Sequence, residues 1–193
     1  MPDTNVYINS IDEMAALLAL SRPGPSESGL LDCFIHRKAY SVPSELKNNE
    51  ALLAILDETR GVPVFQEQFF DIFTKVAGLS PERAIHWVRD TRPLKEDSGV
   101  EALYDDLKQG GCSRREANAI IDFIEVPIRY AFSKGHALDY ATIGYTTAWL
   151  RLNYLNTWFH TVVNDSMIRY TNKFDLLKSL LELGVEIYGV EYD

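Results

Sequence analysis

Cysteine, positive charge and long apolar runs are all scarce in this chain, and each shortage removes a class of protein. Cys33 and Cys112 are the only cysteines among 193 residues. Two isolated thiols give neither a metal-ligand spacing nor a disulfide framework, so both are expected to be reduced, in a cytoplasmic protein. Lys and Arg number 19 against 28 Asp and Glu, a net charge of -9. That balance argues against a uniformly basic nucleic-acid coat, although it leaves room for a local basic patch. No apolar run is long enough to span a membrane. The opening Met-Pro-Asp-Thr-Asn lacks the basic region and apolar core of a signal peptide. There is no internal repeat and no low-complexity linker. An Asp-x-Asp pair on a strand-like run is also missing, and with it the carboxylate cluster that a two-metal site needs.

What the chain does contain is helical periodicity and 46% apolar content, enough for one core. Ser10 is a candidate N-cap for a helix over Ile11 to Leu20, with Asp12 and Glu13 in its first turn. The helix is expected to stop at Arg22-Pro23-Gly24-Pro25, where two prolines hold Arg22 on a stiff, non-helical turn. Further helices are predicted from Glu45 to Leu56, Phe69 to Val76, Pro81 to Asp90, Glu101 to Gln109, and from the Ser113 cap to about Val126. Tyr104-Asp105-Asp106 reads as the solvated acidic face of an amphipathic helix, because the metal-binding hairpin with that string needs flanking strands. A helix from Phe174 to Leu183 and a β-like Val185 to Tyr188 complete the pattern. The predicted division is a helical domain over 1–165 and a short helix-strand segment over 166–193 packed on it.

Residues 130–154 concentrate the chemistry. Lys134 and His136 flank Gly135 ahead of a helix whose small residues, Ala137, Ala141, Gly144 and Ala148, share one face. Tyr145, Trp149 and Leu152 share a bulky face. Unpaired N–H groups at the start of such a helix suit an anion. Equally, a lysine there can be solvated and a small-residue stripe can be core packing. Gln66 and Gln68 suit either a base edge or a buried amide bond between helices.

The stretch resembles a signature of the bacterial C-family replicative polymerases, the alpha subunit of DNA polymerase III. The resemblance rests on Tyr130, Phe132, Ser133, Lys134, His136, Tyr140 and Tyr145, then Thr147-Ala148-Trp149-Leu150-Arg151. Ala19-Leu20-x-Arg22-Pro23-Gly24-Pro25, Ser28-Gly29, Phe34-Ile35-x-Arg37-Lys38, and Gly61-Val62-x-Val64-Phe65-Gln66-Glu67-Gln68 are similar to further family segments, in the same order. The chain departs from the pattern at Val88, where the family has the first of two arginines, and at Thr91 to Lys95, where it has Met-Gly-Lys-Lys.

The resemblance implies a mainly α fold, the helical fingers domain of a C-family polymerase with a short C-terminal α/β segment. It implies that Arg22, Lys134, His136, Arg89 and Gln66 bind the incoming dNTP. Arg151, Lys38 and Arg92 would then contact DNA. No cofactor is expected on this chain, no catalytic residue and no metal ligand; Mg2+ belongs on a palm domain for which 193 residues leave no room. The expected role is the fingers part of a split replicative polymerase, not catalytic alone. Its partners would be a separate palm-bearing chain, primer-template DNA and dNTP, in the cytoplasm of a bacterial or phage-infected cell. The alternative is a non-enzymatic decoy or regulator that binds a host polymerase or primer-template; accidental similarity is the third reading.

Overall fold

Ser10 opens the first helix as its spacing predicts: the side-chain oxygen accepts from the Glu13 N–H at 3.1 Å, and α1 runs Ile11–Leu20. The computed structural model describes residues 7–38, 40–164 and Lys178, with the side chains of 92, 93, 159, 160 and 162–164 outside that description. Helices make up most of it. After α1 come α2 (Pro23–Glu27), α3 (Leu30–Ile35), α4 (Glu50–Asp57), α5 (Gln66–Asp71) and a π-helical turn (Ile72–Val76). Then follow α6 (Pro81–Arg89), a 3-10 turn (Arg92–Lys95), α7 (Asp97–Gln109), α8 (Arg114–Ile124) and a second 3-10 turn (Pro127–Tyr130). The long α9 (Lys134–Asn153) and α10 (Leu155–Asn164) end the series. Among the described residues no sheet forms, and extended backbone pairs in one isolated parallel bridge, Phe65 to Phe132. The fold is therefore mainly α, as expected.

Several helices differ from their sequence readings: α5 begins at Gln66 rather than Phe69, α7 at Asp97 rather than Glu101, and α9 at Lys134, so that Lys134, Gly135 and His136 form its first turn instead of preceding it. Arg22-Pro-Gly-Pro does not stay outside helical geometry; Pro23 starts α2, with extended Arg22 before it. Proline fits a first helical position because its missing N–H would have no intrahelical partner there. The helix expected from Glu45 begins at Glu50, because the Asn49 side chain accepts from the Leu52 N–H at 3.0 Å and caps it there.

Contacts divide the chain into two compact units, Met1–Ile143 and Gly144–Asp193, with the boundary inside α9. The boundary expected after residue 165, the 166–193 segment, its helix and its β-like run lie outside the described residues, Lys178 apart. The first unit has two clusters of buried side chains. One gathers α4 to α8, with Leu52, Phe69, Phe73, Leu103 and Phe123 among its members. The other joins Ala15, Ala16, Leu20, Leu30 and Phe34 to Val64, Phe65, Ala137 and Ala141. Thus the first half of the α9 small-residue face is core. In the second unit Ala148, Tyr145, Trp149 and Leu152 are exposed.

Asp106 corrects the reading of the acidic string. Asp105 is exposed, but Asp106 is 8% exposed and accepts from the Trp87 indole N–H at 2.9 Å. Asp106→Ala should strand that buried donor and cost about 1–3 kcal/mol in urea denaturation. A loss within experimental error would mean that water replaces the carboxylate.

Candidate functional site

The site is organised by the segment 64–68. Gln68 is buried; its side-chain oxygen accepts from the Val64 and Phe65 N–H groups, and its amide nitrogen donates to the Ile55 carbonyl and the Thr59 hydroxyl. This one amide ties the start of α5 to the end of α4. The extended residues it holds then pair with Phe132: the Phe132 N–H donates to the Val64 carbonyl at 3.0 Å, and the Gln66 N–H to the Phe132 carbonyl at 2.8 Å. The bridge sets the first turn of α9 beside the first turn of α5. Lys134 N–H donates to both carboxylate oxygens of Glu67, at 3.1 and 2.9 Å.

Three of the expected nucleotide residues gather around this bridge. Arg22 lies over the Phe132 ring at 4.7 Å, and Lys134 over the Phe65 ring at 6.0 Å. His136 stacks on Phe132 at 5.5 Å and meets Tyr140 edge-on at 4.7 Å. The charges of Arg22 and Lys134 are already engaged. Arg22 donates to the Ala19 carbonyl at 2.8 Å and to the Tyr130 carbonyl at 2.7 Å, and burial draws its guanidinium below the ordinary value. The Lys134 ammonium pairs with Glu58. Gly24 belongs to the same arrangement, since any side chain there would run into the Tyr130 ring.

The other two expected residues share a groove. Gln66 and Arg89 are both exposed and line it with Glu67, Phe70, Asp71, Ile85 and Val88. Phe70, Ile85 and Val88 are its apolar members, and Arg89 stands at the end of α6. Val88, at the position that the resemblance gives to an arginine, is 8% exposed and belongs to the core. Glu67 connects the groove to α9, because it both lines the first and caps the second.

The expected DNA contacts lie elsewhere. Lys38 is exposed and pairs with Asp32 at 2.9 Å; that bond holds the Asp32 carboxyl below its usual range. Arg151, in the second unit, lies over the Trp158 ring at 5.6 Å, beside a groove lined by Gly144, Thr147, Ala148 and Leu152. The Arg92 side chain is outside the described residues.

Sequence reading gave Glu58, Glu67 and Arg60 no role. Arg60 pairs with Glu13 at 2.8 Å, donates to the Tyr7 carbonyl at 2.9 Å and lies over the Phe34 ring at 4.6 Å. Each partner is far away in sequence, so no local spacing announces it. Among the described residues, no three His, Cys, Asp or Glu side chains are grouped to hold a metal ion, and no helix is long and apolar enough to cross a membrane.

Comparison with known proteins places the sequence of this chain in a family. The model of the bacterial DNA polymerase III alpha subunit finger domain matches residues 4–114 of the 193. The DNA polymerase III subunit alpha of Aquifex aeolicus is 33% identical over 184 residues, covering 93% of the chain and 16% of that protein. The same subunit of Buchnera aphidicola is 29% identical, and that of Escherichia coli 28%, each match covering 91% of the chain and 16% of the relative. The chain thus spans 16% of the length of these relatives. With the finger-domain model matched over more than half of its residues, the chain belongs to the bacterial DNA polymerase III alpha finger-domain family.

Proposed function

We propose that this chain is the fingers part of a DNA polymerase III alpha-like replicative polymerase. In this reading it binds the incoming dNTP and primer-template, and a separate chain carries the palm. The observation that carries the proposal is the likeness to subunit alpha across 91–93% of the chain. Mg2+, held by palm carboxylates, would activate the attacking hydroxyl and stabilise the leaving oxygens. The fingers' task is electrostatic grip and closure over the nascent base pair, so that reaction follows only correct geometry.

The groove supports a division of labour. Arg89 is the exposed guanidinium, suited to a bidentate hold on phosphate. Gln66 beside it offers both a donor and an acceptor to a sugar or base edge. Lys134 and His136 reach the triphosphate from the start of α9, while Arg22 positions the Phe132 segment that carries them. Lys38, Arg92 and Arg151 are the proposed DNA contacts.

The test is reconstitution with the palm-bearing chain, primer-template, dNTPs and Mg2+. Incorporation is expected from the mixture and from neither chain alone. Equal incorporation by the palm chain without this one would refute the role, and inhibition of a complete polymerase would favour the decoy reading. In the active mixture, Arg89→Ala should weaken dNTP binding about ten- to a hundredfold, the size of one charge-assisted phosphate contact. Unaltered dNTP affinity would remove Arg89 from the site.

A further inference from the structure

Lys134 is held by two carboxylates from two other elements. Glu67, in the first turn of α5, takes the main-chain N–H that begins α9; Glu58, just after α4, takes the ammonium. Neither carboxylate rescues a buried group. The Lys134 and Glu58 side chains are 27% and 35% exposed, and Glu67 is exposed, so water would solvate all three if they parted. The first N–H groups of a helix draw in an anion, and here the anion is the protein's own.

We propose that Glu58 and Glu67 form a carboxylate latch on Lys134, which an incoming polyphosphate must displace. The inference rests on the reading of Lys134 as a triphosphate contact. Two donors on one residue are covered by two separate carboxylates. An anion with a single charged group displaces one of them and leaves the other in place. Linked phosphates bring several charges at once and can take over both donors. Until the carboxylates swing away they repel the ligand, so the latch lowers the affinity of the nucleotide-free fingers and favours polyphosphates over single anions. Both glutamates are thus regulators of the site, although neither touches the ligand.

The latch can be tested without a palm or DNA, by titrating the full chain with inorganic tripolyphosphate in a calorimeter. Glu58→Gln and Glu67→Gln should each tighten binding roughly three- to fivefold, the upper part of the range set by partly exposed ion pairs. Asp105→Asn, an exposed carboxylate on α7, controls for net charge and should change it by roughly twofold or less. Adding Lys134→Ala to Glu58→Gln should abolish the gain, which a general change in stability would not do. The latch is overturned if both Gln variants match Asp105→Asn, or if no variant binds tripolyphosphate; Glu58→Gln decides alone should Glu67→Gln fail to fold. Tighter binding by the Gln variants alongside failed reconstitution would sink the fingers reading and keep the latch. Unchanged binding alongside successful reconstitution would do the reverse.

Discussion

Gln68→Leu should destabilise the domain by about 3–5 kcal/mol, towards the top of the range for single substitutions, because it breaks a buried hydrogen-bond network. The side chain is 3% exposed and makes four hydrogen bonds, between 2.8 and 3.0 Å, to residues 64, 65, 55 and 59. Leucine fills a similar volume but leaves two N–H groups, a carbonyl and a hydroxyl without that partner. Each stranded group costs about 1–3 kcal/mol before relaxation. The sum is tempered because the 64–65 segment can shift towards water. Urea denaturation should show a lower midpoint with the slope kept, the sign of lost stability rather than an altered unfolded chain. Gln68→Glu keeps both acceptor bonds but sets a carboxylate oxygen against the Ile55 carbonyl and buries its charge, so it should cost at least as much as Gln68→Leu. A loss below about 1 kcal/mol for Gln68→Leu would show that the amide is replaceable, because exposed substitutions fall in that range. The damage should also reach the site, since the segment Gln68 holds is the one that pairs with Phe132.

Arg22→Ala should cost about 2–4 kcal/mol, from two lost charge-assisted bonds and a lost contact with an aromatic face. The Ala19 carbonyl ends α1 and the Tyr130 carbonyl precedes the bridge, so this guanidinium joins segments 108 residues apart. Arg22→Lys preserves the charge without the fork and should recover only part of the loss, because one ammonium is a poor match for two separated carbonyls. Full recovery by lysine would mean that charge, not shape, is what the position requires. Below the melting temperature of each variant, Arg22→Ala should weaken dNTP binding less than Arg89→Ala does. The opposite order would mean that Arg22 leaves its carbonyls to hold the triphosphate.

Local rules were enough for much of this architecture. Ser10, Ser80 and Ser113 cap the helices that follow them, and Ser113 with Glu116 completes a reciprocal pair of cap bonds. Such signals act over three or four residues, the range that spacing reveals. They failed where one polar residue had a distant partner. Asp106 reads as a solvated carboxylate until Trp87 is placed against it. Gln66 and Gln68 are two residues apart and chemically identical, yet one lines an open groove and the other is core. Nothing in the string Gln-Glu-Gln decides which, because that depends on where α4 crosses behind them.

The sequence by itself determined that the chain is mainly helical, where α1, α6 and α8 begin, and which family it belongs to, because caps, periodicity and ordered motifs are local or collinear. Only the tertiary structure decided which cations face open space. It turned Arg22 onto two carbonyls, set Glu58 and Glu67 on Lys134, and left Arg89 exposed beside Gln66. The physical reason is that a charge's availability depends on the partners that folding brings to it, and in this chain those partners lie as far as 108 residues away.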